Sequence, residues 1–194
     1  MQSVTPVPAG TPNQWLQTYY FLRAGVSVVW IALAVFVGRY HPAIGAALLI
    51  AYPAWDAFAN YLDARRNGGL RSNPPQMFNL IVSIIVALAI GWALTVGMPA
   101  AIKVFGAWAI FSGVLQLAAA VRRWKTVGGQ WAMILSGAQS AAAGVFMFKQ
   151  AGSGIQLDVV TVAPYAGFGA LYFLISAIWL TVKNSRRRAG AIAR

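Results

Sequence analysis

Six long apolar segments, separated by short polar loops, constrain this chain of 194 residues more than any other feature. A helix needs about 20 apolar residues to cross the hydrocarbon core of a bilayer, and each segment reaches that length. Prolines stand near the start of the second, fourth and sixth segments, where a first helical turn tolerates them. We therefore predict an all-α, polytopic membrane protein with six transmembrane helices in three tandem helical hairpins. The segments lie near residues 17–38, 42–63, 77–97, 100–121, 130–149 and 160–183.

The chain carries few residues that could perform chemistry. Only 9% of its residues are charged, whereas a soluble domain carries roughly 25%. It has no Cys, no Glu, one His and three Asp. That composition excludes thiolate zinc sites, disulfides, cysteine nucleophiles and iron–sulfur clusters. We expect no catalysis, no cofactor and no metal site.

The distribution of positive charge predicts the orientation. Eleven basic residues lie in the loops after the second and fourth segments and in the C-terminal tail, against three on the other side. Cytoplasmic loops carry such an excess of Lys and Arg, so both termini should lie in the cytoplasm. The net charge of +12 does not indicate nucleic-acid binding, because the basic residues form short clusters between apolar segments. The bilayer is the expected partner.

Basic residues at the cytoplasmic face should contact anionic lipid headgroups. The expected contacts are Arg65, Arg66, Arg122, Arg123, Arg186, Arg187 and Arg188. The predicted organisation is a polar cytoplasmic tail over 1–16, a transmembrane domain over 17–183 and a basic cytoplasmic tail over 184–194. The hairpins of the domain cover about 17–63, 77–121 and 130–183.

The three hairpins look like copies of one unit. "LDARRNGG" after the second segment resembles "AVRRWKTVGG" after the fourth, and "GRYHPAIGAALL" resembles "TVGMPAAIKVFG". Copies in the same orientation are related by an axis along the membrane normal. The alternative is that basic inner loops and similar turns occur in any six-span protein.

Every segment also carries two polar residues four apart, and so on one helix face. One interpretation is a polar chamber that opens toward the cytoplasm. The other is hydrogen bonding between helices, worth about 0.6 kcal/mol for each bond. Small residues at Gly137 and Ala141 favour close helix packing in either case. The candidate chamber residues are Arg23, Asp56, Asn60, Gln116, Gln139 and Tyr172.

Arg23 and Asp56 are the most informative of these residues. Both lie roughly 10–15 Å inside the cytoplasmic boundary at 1.5 Å per residue. An intramembrane charge needs a partner or water, and the first two segments should be neighbours in one hairpin. We therefore predict an Arg23–Asp56 ion pair, either as a structural clamp or as an ion or proton site. The alternative is that Arg23 extends to the interface and leaves Asp56 to Arg65 or water. Pro53 should kink the second helix, either freeing a carbonyl for a ligand or having the gap filled by a neighbouring side chain.

Two stretches carry a resemblance to the HdeD-like membrane proteins. They are "HPAIGAALLIAYPAWDAFANYLDARRNGGLRSN" and "FGAWAIFSGVLQLAAAVRRWKTVGGQWAMILSGAQSAAAGVFMF", the second with "SG" turns at residues 112–113 and 136–137. These are small bacterial six-span proteins with repeated helical pairs, and many have no known function. The resemblance covers segments one to five well and segment six poorly. It implies a location in the bacterial inner (plasma) membrane and a link to acid resistance, as in the member that names the family, and it offers no catalytic motif.

Three functions follow from these observations. The first is an accessory, structural or stress-related membrane protein without catalysis, which predicts a dry, packed interior. The second is a transporter or channel for a small solute or protons, which predicts a continuous wet path. The third is a subunit of a larger membrane complex, or a homo-oligomer, with contacts from Trp residues within the segments: Trp30, Trp92, Trp108 and Trp179. We favour the first.

Overall fold

The computed structural model describes the backbone of residues 12–123 and 130–192, and the side chains of residues 14–118, 121 and 134–185. Throughout these ranges the secondary structure is helical. Short π-helical and 3-10 segments, Ala34–Gly38, Leu70–Ser72 and Val159–Val162, lie between the long helices. The six long helices are α1 Pro12–Leu33, α2 Pro42–Arg66, α3 Pro74–Val96, α4 Met98–Arg123, α5 Gln130–Gly152 and α6 Ala163–Ile192.

Proline and glycine set the helix boundaries. Pro42 and Pro74 are the first residues of α2 and α3, positions where the missing N–H removes no helical hydrogen bond. Gly97 alone joins α3 to α4, with a φ of 141° that an L side chain rarely adopts. Gly68 and Gly69 have φ values of 92° and 91° in the turn after α2.

Among the described residues, five helices are long and apolar enough to cross a membrane. The chain is therefore a multi-pass membrane protein. Large apolar side chains cover the outside of the bundle, for example Phe36 and Leu88, which are 76% and 70% exposed. The five stretches are Gln14–Gly38, Pro42–Arg66, Pro74–Val96, Met98–Ala118 and Val159–Ser185. Helix α5 is not among them, so the prediction of six spans stays a prediction.

The long helices form a ring in which each one contacts the next, and α6 contacts α1. The most extensive contacts join α2 to α3, α4 to α5 and α1 to α6. Direct contact between α1 and α2, and between α5 and α6, is slight. The expectation that the first two helices are close neighbours is therefore wrong for most of their length. They meet chiefly through the π-helical segment near their turn.

Facing glycines explain why α4 packs most closely on α5. A Cβ added at Gly144 would lie 2.4 Å from the carbonyl oxygen of Gly106, and one added at Gly113 would lie 2.5 Å from that of Gly137. The two glycines on each helix are seven residues apart and leave two gaps in its surface, which we call the glycine notches. At these notches the two backbones come into contact. The sequence-based expectation of small-residue packing at Gly137 is confirmed.

The two ends of the bundle differ. We call the end where α2 ends and α3 begins the basic end, because Arg65, Arg66 and Arg71 lie there, and the opposite end the far end. The far half holds the hydrophobic core, which includes the fully buried Phe105. The segment Val159–Val162 folds into this core, where both of its terminal side chains are fully buried. The far end is thereby closed.

Candidate functional site

A cavity of about 750 Å³ occupies the half of the bundle toward the basic end. Side chains of all six long helices line it, and Pro75 in the first turn of α3 shows that it reaches the basic end. We call this cavity the chamber. Five of the six candidate residues line it, namely Arg23, Asp56, Gln116, Gln139 and Tyr172. Asn60 does not line it but lies behind Asp56.

The structure brings Arg23 and Asp56 together. The Arg23 guanidinium forms an ion pair with Asp56 Oδ1 across the seam between α1 and α2. It also donates from Nη1 to the Tyr19 hydroxyl at 3.0 Å, and its Cζ lies 4.4 Å from the centre of the Phe173 ring on α6. Arg23 therefore does not extend to the interface, because a carboxylate, a hydroxyl and an aromatic face receive its charge inside the bundle.

Asp56 accepts hydrogen bonds on both carboxylate oxygens. Oδ2 accepts from Ser83 Oγ on α3 at 2.8 Å and from Asn60 Nδ2 at 3.1 Å, while Oδ1 accepts from Arg23. Three helices thus meet at one carboxylate. With the ion pair and two further donors, both oxygens of the carboxylate are engaged as acceptors.

Neutral polar pairs form the opposite wall of the chamber. The Tyr172 hydroxyl donates to Gln139 Oε1 at 3.0 Å and bridges α6 and α5. Gln116 Nε2 donates to Ser136 Oγ at 3.2 Å and bridges α4 and α5. The polar residues on this wall therefore satisfy one another, as interhelical hydrogen bonds do, and they also border the cavity.

Three aromatic rings close the chamber toward the far end. Tyr52, Trp108 and Tyr165 come from α2, α4 and α6, and their ring centroids lie 6.3, 6.4 and 6.3 Å apart. Phe105 packs behind them, 5.2 Å from Trp108 and 5.7 Å from Tyr165. We call the three rings the aromatic floor.

The residues of the floor are 56 and 57 positions apart, which is also the spacing at which Ser27, Ser83 and Ser140 recur on the odd helices. Sequence reasoning missed the floor, although this shared spacing was the signal that could have found it. Each hairpin unit contributes one ring to the floor. The internal repeat is therefore visible in the chamber itself.

A second buried carboxylate, Asp63, ties the basic end together. It is 8% exposed. Trp15 Nε1 and Asn67 Nδ2 donate to Oδ1 at 3.0 and 2.9 Å, and Gln76 Nε2 donates to Oδ2 at 3.1 Å. Helices α1 and α3 are thus fastened to the end of α2, and the Arg66 guanidinium covers the Trp15 ring at 4.9 Å. Sequence reasoning did not assign this role to Asp63.

Pro53 is buried inside α2. Its ring leaves the carbonyl of Leu49 without the usual helical donor. At the adjacent carbonyl, Leu48, the Trp30 indole donates at 2.8 Å. A neighbouring side chain therefore binds the backbone of α2 close to the proline, and this arrangement favours the second of the two interpretations of Pro53.

Other predicted residues lie at the surface or outside the described side chains. Arg65 and Arg66 are exposed at the basic end. Trp92 and Trp179 are 72% and 61% exposed, but Trp30 and Trp108 are buried, so the expectation of an outward-facing role is wrong for the latter two. The side chains of five predicted lipid contacts lie outside the described residues: Arg122, Arg123, Arg186, Arg187 and Arg188.

No group of three or more His, Cys, Asp or Glu side chains comes together in the part of the chain that the structure describes. The two carboxylates near the basic half, Asp56 and Asp63, each face donors of their own. The chamber thus offers hydrogen-bonding groups and aromatic faces, with one ion pair on its wall.

Residues 77–149 match the family model of a short repeat of unknown function, DUF308. The match covers most of α3, the whole of α4 and most of α5. It is consistent with an HdeD-like membrane protein and with a chain built from repeated helical units. Neither a curated protein nor a solved structure matches the chain.

Proposed function

We propose that this chain is an HdeD-like protein of the bacterial inner membrane that crosses the bilayer six times, with both termini in the cytoplasm. Its role is accessory and stress-related rather than catalytic. The interior toward the basic end is a chamber, not the dry, packed interior expected for such a role, and the protein acts by holding a small solute there. One observation carries the proposal: a cavity of about 750 Å³ reaches the basic end and stops inside the bundle at the aromatic floor. A one-ended cavity at membrane depth is suited to binding from one side.

Helix α5 supports the sixth span. It has 23 residues, and at 1.5 Å per residue it is roughly 35 Å long, enough to cross the hydrocarbon core. Its glycine notches hold it against α4 at two levels, so the two helices share the same depth. The exposed arginines at the basic end support the assignment of that end of the bundle to the cytoplasmic side.

A non-catalytic role is supported by the state of the acidic group in the chamber. Asp56 accepts from Arg23, Asn60 and Ser83. A general base must be free to take a proton from a substrate, whereas this carboxylate is already engaged on both oxygens. The chamber is therefore better suited to binding than to proton transfer.

Cysteine labelling tests the proposal, because the chain has no Cys of its own. Ser112→Cys places a thiol in the chamber, Ile102→Cys places one in the fully buried core beyond the floor, and Gly152→Cys places one at the open surface of the far end. A hydrophilic, membrane-impermeant maleimide is added to spheroplasts or to inverted vesicles.

We expect Ser112→Cys to react only in inverted vesicles and Gly152→Cys only in spheroplasts, with Ile102→Cys protected in both. Labelling of both Ser112→Cys and Gly152→Cys from the periplasmic side would mean that the chamber opens outward. Protection of Ser112→Cys in both preparations would mean that water does not reach the chamber, and either result contradicts the proposal.

A second candidate, small-solute transport, is favoured by the two seams with slight helix contact. Arg23–Asp56 bridges α1 to α2 and Gln139–Tyr172 bridges α5 to α6, so each seam is joined at the chamber by a polar contact that can part. A transporter exposes a midplane site alternately to each side. It would then show slow labelling of Ile102→Cys from the periplasmic side, whereas a purely accessory protein would not.

A further inference from the structure

The wall of the chamber carries no spare charge. Arg23 and Asp56 are the only charged side chains among the described residues that line it, and they neutralise each other. The remaining guanidinium nitrogen, Nε of Arg23, is buried and has no hydrogen-bond partner among the described residues. A charged ligand would therefore find no counter-charge among the described residues unless it broke the ion pair.

Neutral hydrogen-bonding groups, in contrast, are available to a ligand. Asn79 on α3 and Ser112 on α4 line the chamber, and no described residue forms a hydrogen bond with either side chain. Tyr172, Gln139 and Gln116 add a hydroxyl and two amides to the same space. These groups donate and accept without carrying charge.

The aromatic floor supplies a third element. Tyr52, Trp108 and Tyr165 border the cavity at its closed end, and their rings present an apolar surface there. An occupant must therefore combine polar groups at its edges with an apolar face. The chamber volume of about 750 Å³ is in the range of about 300–1,000 Å³ that small-molecule sites occupy.

We infer that the chamber binds an uncharged, ring-sized solute with several hydroxyl or amide groups, oriented with its apolar face toward the aromatic floor. This inference rests on the solute-binding role proposed above and names the chemical class of the solute. Charged analogues are rejected because an ion loses its hydration when it leaves water, and the described lining of the chamber offers no unpaired charged group to replace that hydration.

Three sugars of nearly the same shape test the inference. Glucose is uncharged, glucosamine in mildly acidic buffer is a cation, and glucuronate is an anion. Binding of each labelled sugar to the full-length protein in nanodiscs is measured by equilibrium dialysis. We expect glucose to bind about tenfold more tightly than either charged sugar, since one unpaired charge costs at least that factor.

Asn79→Leu and Ser112→Ala remove chamber groups without removing a hydrogen bond within the described protein, so both variants should fold. Each should weaken glucose binding about fivefold, the value of roughly one neutral hydrogen bond. Thr95→Val is the matched control, because the Thr95 hydroxyl is exposed and donates to its own helix at Trp92. It should bind glucose like the parent protein.

Equal or tighter binding of glucosamine or glucuronate would overturn the inference. So would the absence of glucose binding by a protein in which Ser112→Cys is labelled from the cytoplasmic side, since the chamber is then open but takes another class of solute. If Ser112→Cys is protected from both sides, the proposed function itself fails, and this result is distinct from the first two.

Discussion

The Arg23–Asp56 pair allows a quantitative test of what holds the helices around the chamber. Asp56→Asn keeps the shape of the side chain and removes its charge. The Arg23 guanidinium then lies inside the bundle with its ion-pair partner gone, while its side chain is only 15% exposed. Breaking a buried ion pair from one side costs about 3–5 kcal/mol.

The expected cost lies at the lower end of that range. Neither side chain is fully buried, since Arg23 is 15% and Asp56 16% exposed, and the asparagine oxygen can still accept from one neighbour. We expect the free energy of unfolding to fall by about 3 kcal/mol, which is roughly a hundredfold change in the ratio of folded to unfolded protein. Unfolding by dodecyl sulfate in mixed micelles, followed by tryptophan fluorescence, measures this change.

A double-mutant cycle separates the pair from its surroundings. Arg23→Gln and Asp56→Asn together leave no uncompensated charge, so the double variant should be at least 1 kcal/mol more stable than the sum of the single effects implies, a coupling of about the size found for contacting residues. Arg39→Gln is the matched control, because Arg39 is exposed and should change stability by less than about 0.5 kcal/mol. Additive effects in the cycle would refute our account of the pair.

Three further variants test the packing. Gly144→Val should prevent the close contact of α4 with α5, since its Cβ would lie 2.4 Å from a carbonyl oxygen. Gly152→Ala is the control, because its Cβ would have no atom within 4 Å. Size-exclusion chromatography should show aggregation of the first variant alone. Trp108→Ala should open a void in the aromatic floor and lower the free energy of unfolding by about 3–5 kcal/mol, with a lower thermal midpoint in nanodiscs. Trp92→Ala, at a site that is 72% exposed, should leave that midpoint nearly unchanged. Asp63→Leu should leave the Trp15 indole without its acceptor and lower the free energy of unfolding by about 1–3 kcal/mol. A shift of the tryptophan emission should report the loss of this hydrogen bond. Emission identical to that of the parent protein would contradict the role of Asp63.

Much of the secondary structure could be predicted from hydropathy and from prolines and glycines. The predicted segments and the observed helices agree to within a few residues at most boundaries, because Pro42, Pro74 and Gly97 act locally. The meeting of Arg23 and Asp56 at one level of the bundle could also be predicted, since the rise per residue converts sequence position into distance along a helix. Helix boundaries and positions along a helix depend on residues close together in the sequence, so they could be predicted without knowing how the helices pack.

Which helices pack against each other could not be predicted in the same way. Covalent connection suggested α1 against α2, yet the tightest pair is α4 with α5, where small residues on both helices face each other, as Gly106 faces Gly144. Which glycines face each other depends on the rotation of each helix about its axis. The aromatic floor was missed for a related reason, because it requires the repeat register to be applied to all three units at once.

The pairing of α1 with α6 has a consequence for how the protein is made. Every other tight pair joins helices that follow each other in the chain, but α1 finds its partner only when α6 has left the ribosome. Until then, one flank of α1, including the Arg23 face that later meets Phe173, has no protein neighbour in the ring. The bundle is thus completed by its last helix, and truncation before α6 should yield a product that stays bound to the insertion machinery or is degraded.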